Sequence, residues 1–198
     1  EIEPLDIAAV EAAAAELVAA GVDGIVICFL HSFRSDMHEA AAASAIRARW
    51  PAVSVSTSAE VWPQAREFER ATLATIDTYV QPKIAAYVSQ LTEGLAERGV
   101  ASDAFVARSN GGAERAESVK NRPVVAVLSG PAAGVSGAAR VAADAGWEKA
   151  DLITVDVGGT SADIGVIRSG APVLSPEEHI ADFPILVPTV AVSSIGAG

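Results

Sequence analysis

TVDVGGTSADIGV, residues 154–166, decides how the rest of the chain is read. An apolar run reaches Asp156, then Gly158 and Gly159, then the hydroxyls of Thr160 and Ser161. Asp163 follows, and apolar residues resume. The flanks, LITVDV and ADIGVI, read as two strands, so the middle is a tight strand–turn–strand bend. Glycine lets such a bend point its N–H groups outward, and a concavity of N–H groups can hold phosphate oxygens. Thr160 and Ser161 add hydroxyl donors. Bare carboxylates repel phosphate, so Asp156 and Asp163 need another task. A hydrated Mg²⁺ supplies one, because that ion keeps most of its waters and is held by one or two carboxylates together with phosphate oxygens. The same residues also make a serviceable hairpin, with Asp capping and Gly bending. The stretch is not a Walker loop, which needs G-K-[ST]. It is not a dinucleotide fingerprint either, because no helix follows it.

Upstream of the bend, VVAVLSG (124–130) leads into PAAGVSGAARVAADAG (131–146), which reads as a helix with Pro131 in its first turn. Gly130, Gly134 and Ala138 recur every fourth residue, beside Gly137. Glycine inside a helix costs about 1 kcal/mol against alanine. A close helix or sheet neighbour is the expected reason, and a ligand at the helix N-terminus is the other. Further back the order alternates. Residues 6–20 form a helical face of Ile7, Val10, Ala14, Leu17 and Val18, with Asp6 as N-cap and Gly21 as stop. GIVICFL (24–30) reads as a buried strand, 37–49 as a helix ended by Pro51, and VSVST (53–57) as a second strand. This β–α alternation predicts an α/β layer structure with partly parallel strands.

Residues 64–98 form a long helical tract. Phe68, Thr72, Ile76, Tyr79 and Val80 share a face, and Pro82 interrupts and restarts the helix. AFVARS (104–109) is a strand running into the Asn110-Gly111-Gly112 turn, and a short polar helix is expected over 113–120. Past Trp147 the pattern turns to strands, with RSGAP (168–172) as a hairpin signal. A subdomain boundary is expected near 147–150.

Bulk composition narrows the function classes. Hydrophobic residues make up 51% of 198, enough for a packed core, which argues against disorder. The net charge of −11 excludes nucleic acid and anionic membrane as natural partners, and no apolar run of membrane-spanning length occurs. Cys28 is the single cysteine, inside an apolar run, so it reads as a core residue and a disulfide framework is excluded. A reducing, cytoplasmic setting is expected. The chain opens on Glu1 and closes within SSIGAG; a piece of a longer protein is expected, with a processed mature chain as the alternative.

Other residues carry paired readings. His31, His38 and Glu39 follow a strand end and could hold a metal, or could simply cap and face solvent. Glu67, Glu69 and Arg70 read as an intrahelical ion-pair set. Asn110-Gly111-Gly112 either faces a substrate or is a plain turn. His179 is expected on the surface. Trp50, Trp62 and Trp147 are expected in core or boundary packing.

The acidic glycine bend resembles the second phosphate-binding segment of the actin, sugar-kinase and chaperone ATPase superfamily, and the helix after SGPAAG resembles its connecting helix. Within that superfamily the chain is most similar to the hydantoinase A / 5-oxoprolinase / acetone carboxylase family. The segments that carry this are CFLHSF (28–33), EFERAT (67–72), YVQP (79–82), SNGG (109–112), LSGPAAGVSGAAR (128–140), TVDVGGTSADIGVI (154–167) and SIGAG (194–198). The resemblance implies an α/β, mixed-sheet fold with flanking helices, part of an actin-like, ribonuclease-H-like ATPase. Residues 1–147 would be the rear of lobe one with the connecting helix, and 148–198 the first strands of lobe two.

It implies an ATP-dependent enzyme that phosphorylates a poorly electrophilic oxygen of a cyclic amide such as a hydantoin or 5-oxoproline. A ketone carboxylase subunit and a non-catalytic nucleotide-binding subunit are the alternatives. By the same resemblance Gly158, Gly159, Thr160 and Ser161 contact ATP phosphates, and Asp156 and Asp163 order the water around Mg²⁺. Gly196 and Gly198 begin a further glycine turn toward the nucleotide, and a second subunit or domain is expected. The family's first D-x-G-G-T turn is absent from this sequence, and so is most of the second lobe. The 198 residues alone are therefore expected not to turn over ATP.

Overall fold

The computed structural model of the chain describes residues 3–176, 178–180 and 183–196. It divides into two compact units. One comprises the described residues of Glu1–Tyr87 with Lys120–Val124, and the other those of Val88–Val119 with Val125–Gly198.

In the first unit, helix α1 (Ile7–Ala19) starts where Asp6 Oδ1 accepts from the Ala9 amide at 3.0 Å. It ends at Gly21, whose φ of 81° suits a left-handed stop. Strand β1 (Gly24–Ile27), helix α2 (Met37–Arg49) and strand β2 (Ser54–Thr57) follow, as the alternating pattern predicts. The two strands pair in parallel, with Ile25 opposite Val55 and Ile27 opposite Thr57. Their core is Ala14, Ile25, Ile27, Ala42, Ala43, Ile46 and Val55, with Val10, Val18, Phe29 and Trp50 at its margin. Four of the five residues on the expected α1 face serve less fully than Ala14: Val10 and Val18 are half-buried, and Ile7 and Leu17 are exposed. Strand β1 also stops before Cys28. The reason is that the Phe29 amide donates to Glu39 Oε1 and its carbonyl accepts from Arg70, so side chains replace the ladder there.

Helix α3 (Ser58–Val61) is capped by Thr57, whose Oγ1 accepts from the Glu60 amide at 3.3 Å. Helix α4 (Glu67–Glu97) runs unbroken through Pro82, contrary to the expected restart. Its buried face in the first unit is Arg70, Leu73, Ala74, Asp77 and Thr78, while Phe68 and Tyr79 are exposed. Two ionisable residues sit at core positions, so apolar periodicity pointed to the wrong side of the helix.

In the second unit, strands β3 (Phe105–Ala107) and β4 (Ala113–Arg115) form an antiparallel hairpin around Gly111, at φ 82°. The helix expected over 113–120 is thus shorter and later: α5 spans Ala116–Asn121, and its residues from Lys120 belong to the first unit. A 3₁₀ turn (Pro123–Ala126) precedes helix α6 (Ser129–Asp144). Strands β5 (Leu152–Val157) and β6 (Ser161–Arg168) form a hairpin, and β7 (Ala171–Pro172) returns along β6 through Ser169-Gly170, both at positive φ. Short strands β8 (Leu174–Ser175), β9 (Glu178–Ile180), β10 (Phe183–Ile185) and β11 (Thr189–Val190) pair as β8–β11 and β9–β10. Strand β12 (Val192–Gly196) adds antiparallel to β6, giving the order β12–β6–β5. Helix α6 covers one face of this sheet through Ala132 and Val135 against Ile167, Leu152 and Val192. The class is α/β with flanking helices. Parallel and antiparallel pairings both occur, in separate sheets.

Candidate functional site

Asp156 and Asp163 are register partners on β5 and β6, so their side chains leave the same face of the hairpin. The next strand adds Ser194, opposite Asp163, and its Oγ donates to Asp163 Oδ1. Asp156 is exposed and lies toward α6: a methyl group on Gly134 would stand 3.9 Å from Asp156 Oδ2. Two carboxylates and a hydroxyl therefore form one row across three strands, on the face that carries α6.

The bend above this row is closed by one hydrogen bond, from the Gly158 amide to the Ser161 carbonyl at 2.8 Å. Gly158 N–H is thus engaged by the hairpin. Among the described residues, no acceptor is bonded to the amides of Gly159 and Thr160, and both residues are exposed. Ser161 is half-buried and pairs with Gly196, so those two expected site residues are neighbours. Gly198 lies outside the described residues.

Neither glycine is demanded by the turn. Neither has a left-handed φ; a Cβ on Gly158 would make ordinary contact with the Ser161 carbonyl at 3.5 Å, and one on Gly159 would meet nothing within 4 Å. What glycine leaves at 159 is open room against bare backbone.

Helix α6 begins beside this region. Its N-cap, Leu128, is left-handed at φ 64° and offers no side-chain cap, so first-turn N–H groups are left for another acceptor. A cleft of about 240 Å³ is lined by Leu128, Pro131, His179, Thr189, Val190 and Ser194, among others, and Ser194 links it to Asp163. The helix start is fixed by Ser109, whose Oγ donates to the carbonyls of Val125 (2.8 Å) and Val127 (2.6 Å). Gly111 packs so closely on α6 that a Cβ would collide with Ser136 Oγ. The SNGG turn is therefore a seat for α6. The close approach expected at the helix glycines occurs on the strand instead: a Cβ on Gly165 would collide with Val135 and Thr154, while Gly130 and Gly137 face open space.

The first unit holds a second polar cluster. Glu39 is fully buried and accepts from the Phe29 amide (2.8 Å), Ser58 Oγ (2.8 Å) and the Ala59 amide (2.9 Å). Arg70, also fully buried, donates to Ser58 Oγ (3.1 Å), the Gln64 carbonyl (3.0 Å) and the Phe29 carbonyl (2.7 Å). The expected pair of Arg70 with Glu67 exists at 3.8 Å, but Arg70's main task is this network. Glu67's carboxyl is held below its usual range, first by its own backbone N–H and then by that of His31. Glu39 is saturated, and among the described residues no cluster of three His, Cys, Asp or Glu is placed to hold a metal. The His31, His38 and Glu39 metal reading is not supported. Cys28 is half-buried, 4.0 Å from Arg70; of the tryptophans, Trp147 is exposed. Ser109 and Ser194 head the segments SNGG and SIGAG, but neither takes a role from its place in the sequence, because a lone serine carries no spacing signal.

An α/β fold with an acid-flanked strand–turn–strand bend beside a helix start is consistent with an ATPase-like fold. The chain belongs to the hydantoinase/oxoprolinase family: that family's model matches residues 70–198, and the model of its N-terminal region matches residues 1–50. It is 33% identical to caprolactamase subunit alpha of Pseudomonas jessenii over all 198 residues, which is 28% of that subunit. The crystal structure of the ATP-dependent caprolactamase from that organism matches with a TM-score of 0.86 over 100% of this chain and 28% of that one. The nucleotide-free structure of acetone carboxylase matches with a TM-score of 0.88 at 27% identity, over 100% of this chain and 28% of that one. The 5-oxoprolinase of Saccharomyces cerevisiae is 31% identical over 92% of this chain and 14% of its own length. The chain thus spans under a third of each of these relatives.

Proposed function

We propose that the chain is part of an ATP-dependent hydrolase acting on cyclic amides. The observation that carries this reading is the bend at 158–161. Its two glycines are unnecessary to the hairpin, yet the amides of Gly159 and Thr160 are left unbonded directly above two facing carboxylates. Gly159, Thr160 and Ser161 would take phosphate oxygens through N–H and O–H groups. Asp156 and Asp163 suit a hydrated Mg²⁺, because two carboxylates without further protein ligands match the way that ion is commonly held. Gly196 borders this site as the partner of Ser161. Transfer of the terminal phosphoryl group to the amide oxygen, with ADP leaving, would make the ring carbon open to water. Attack by water then releases phosphate and opens the C–N bond.

Residues 1–147 would be the rear of lobe one and 148–198 the first strands of lobe two. A second subunit accompanies the reading, since relatives are named as subunits alpha and beta, and so does a cytoplasmic setting. Among the described residues no helix is long and apolar enough to cross a membrane. The likeness to acetone carboxylase supports a second reading, ATP-dependent carboxylation of a ketone. Phosphate release from ATP by the whole protein separates the two. Stimulation by a lactam, hydantoin or 5-oxoproline supports the hydrolase; stimulation only by acetone with bicarbonate supports the carboxylase. Nucleotide binding without stimulation by either favours a non-catalytic subunit.

A further inference from the structure

Strand β1 runs at its carboxyl end into the loop 28–36, and in parallel α/β sheets ligands gather outside that end of the strands. The first residues of the loop are held from beneath. Fully buried charges take both main-chain groups of Phe29, Glu39 accepting from its N–H and Arg70 donating to its carbonyl. Ser32, 5% exposed, reaches Ser58 Oγ at 3.4 Å. Buried opposite charges contribute little net stability, because desolvation offsets their attraction, so this support under one loop calls for another reason. What it presents is His31, exposed and left-handed at φ 58°. Glu67 follows a second left-handed residue, Arg66 at φ 84°, and its carboxylate accepts from the His31 amide at 3.5 Å. Left-handed backbone is uncommon outside glycine, and residues held in it cluster at active sites. The Glu67 N–H and the His31 N–H, and then the charges of Arg70 and His31, keep the Glu67 carboxyl below its usual range. Among the described residues the His31 ring makes no hydrogen bond; its contact is edge-on with Phe33, centroids 6.2 Å apart. An exposed imidazole oriented by a rigid loop beside a fixed carboxylate has the parts of a proton-transfer group.

We propose that His31 is a catalytic acid–base residue that hands a proton to the ring nitrogen of the cyclic amide, an inference that rests on the cyclic-amide reading. Water adding to the phosphorylated ring carbon gives up a proton to the neutral imidazole. The adduct then has two exits. Cleavage of C–O expels phosphate and restores the amide, which consumes ATP without opening the ring. Cleavage of C–N needs a proton on nitrogen, so that nitrogen leaves as a neutral amine and not as its anion. The imidazolium supplies that proton, the amine departs, and the acyl phosphate left behind is hydrolysed by a second water to carboxylate and phosphate. His31 thereby decides whether phosphate release is coupled to ring opening.

The test uses the whole protein carrying His31→Asn, since Asn also takes the left-handed conformation readily. Phosphate release and ring opening are measured together, with the lactam, hydantoin or 5-oxoproline that stimulates wild type. Ring opening should fall on the order of a hundredfold while phosphate release continues, so that rings opened per phosphate collapse. An unchanged ratio, with both rates lost or both kept, overturns the inference and leaves the cyclic-amide reading standing. A wild-type protein that opens no such ring overturns that reading, and the inference with it. Should His31→Asn fail to fold, carbethoxylation of wild-type His31 by diethylpyrocarbonate, read by peptide mass, tests the same contact. The ring compound should slow that reaction severalfold; equal rates with and without the compound overturn the proposal.

Discussion

Asp156 and Asp163 oppose each other directly across an antiparallel pair, two like charges at one register position. Like charges so placed destabilise a sheet, so the hairpin keeps them at a cost in stability. Asp156→Asn should therefore stabilise the protein by about 0.2–1 kcal/mol in urea unfolding. The same variant should lose ATP-dependent turnover of the whole protein by more than about tenfold, equivalent to about 1.4 kcal/mol. A variant both less stable and fully active would remove Asp156 from the site.

Gly159→Ala separates a phosphate seat from an ordinary turn. Its Cβ would meet nothing within 4 Å and its φ is not left-handed, so the unfolding free energy should stay within about 0.5 kcal/mol of wild type. Affinity for Mg·ATP in the whole protein, measured by calorimetry, should fall at least about tenfold. Unchanged affinity would mean that the open room at 159 serves no phosphate.

The close approach at the sheet gives a contrast between a strand glycine and a helix glycine. Gly165→Ala forces Val135 or Thr154 to move and should cost about 1–3 kcal/mol. Gly137→Ala, which faces open space inside α6, should stabilise by up to about 1 kcal/mol. Paired urea titrations check both signs.

Ser58 bridges two fully buried charges, donating to Glu39 and accepting from Arg70. Ser58→Ala removes both bonds and should cost about 1.5–3 kcal/mol, the range for hydrogen bonds to charged groups. Arg70→Met leaves Glu39 in place and should cost about 3–5 kcal/mol by stripping a buried charge of its counterpart. Chemical denaturation ranks the two variants, and a Ser58→Ala effect near zero would deny the bridge.

Asp77 is fully buried, and burial pushes its pKa up from 3.8 to about 6 against the lowering effect of the Val124 amide (2.9 Å) and Ser56 Oγ. The folded state then binds more protons than the unfolded state between about pH 4 and 6. This residue's contribution to stability therefore falls as pH rises through that window and stays low above it. Two pKa units correspond to about 3 kcal/mol. Asp77→Asn keeps an acceptor for Val124 and should remove that share of the pH dependence. Superimposable wild-type and variant stability profiles from pH 4 to 8 would contradict the burial effect.

Local chemistry alone determined much of this protein. Asp6 and Gly21 mark the ends of α1, the apolar run at 24–27 and the Val- and Thr-bearing segment at 54–57 make parallel strands, and the alternation in LITVDV and ADIGVI sets the register that faces Asp156 with Asp163. Those signals act within a few residues, through capping, glycine freedom and side-chain period, so they can be read from the chain. Tertiary structure decided what depends on distant partners. Arg70 and Asp77 occupy core positions because Phe29, Ser58, Ser56 and Val124, up to 47 residues away in sequence, satisfy them. Ser194 joins Asp163 from 31 residues away, and Gly165 is where the helix presses in. A buried polar group is tolerable only once its hydrogen bonds are made, and those bonds exist only after the chain has folded.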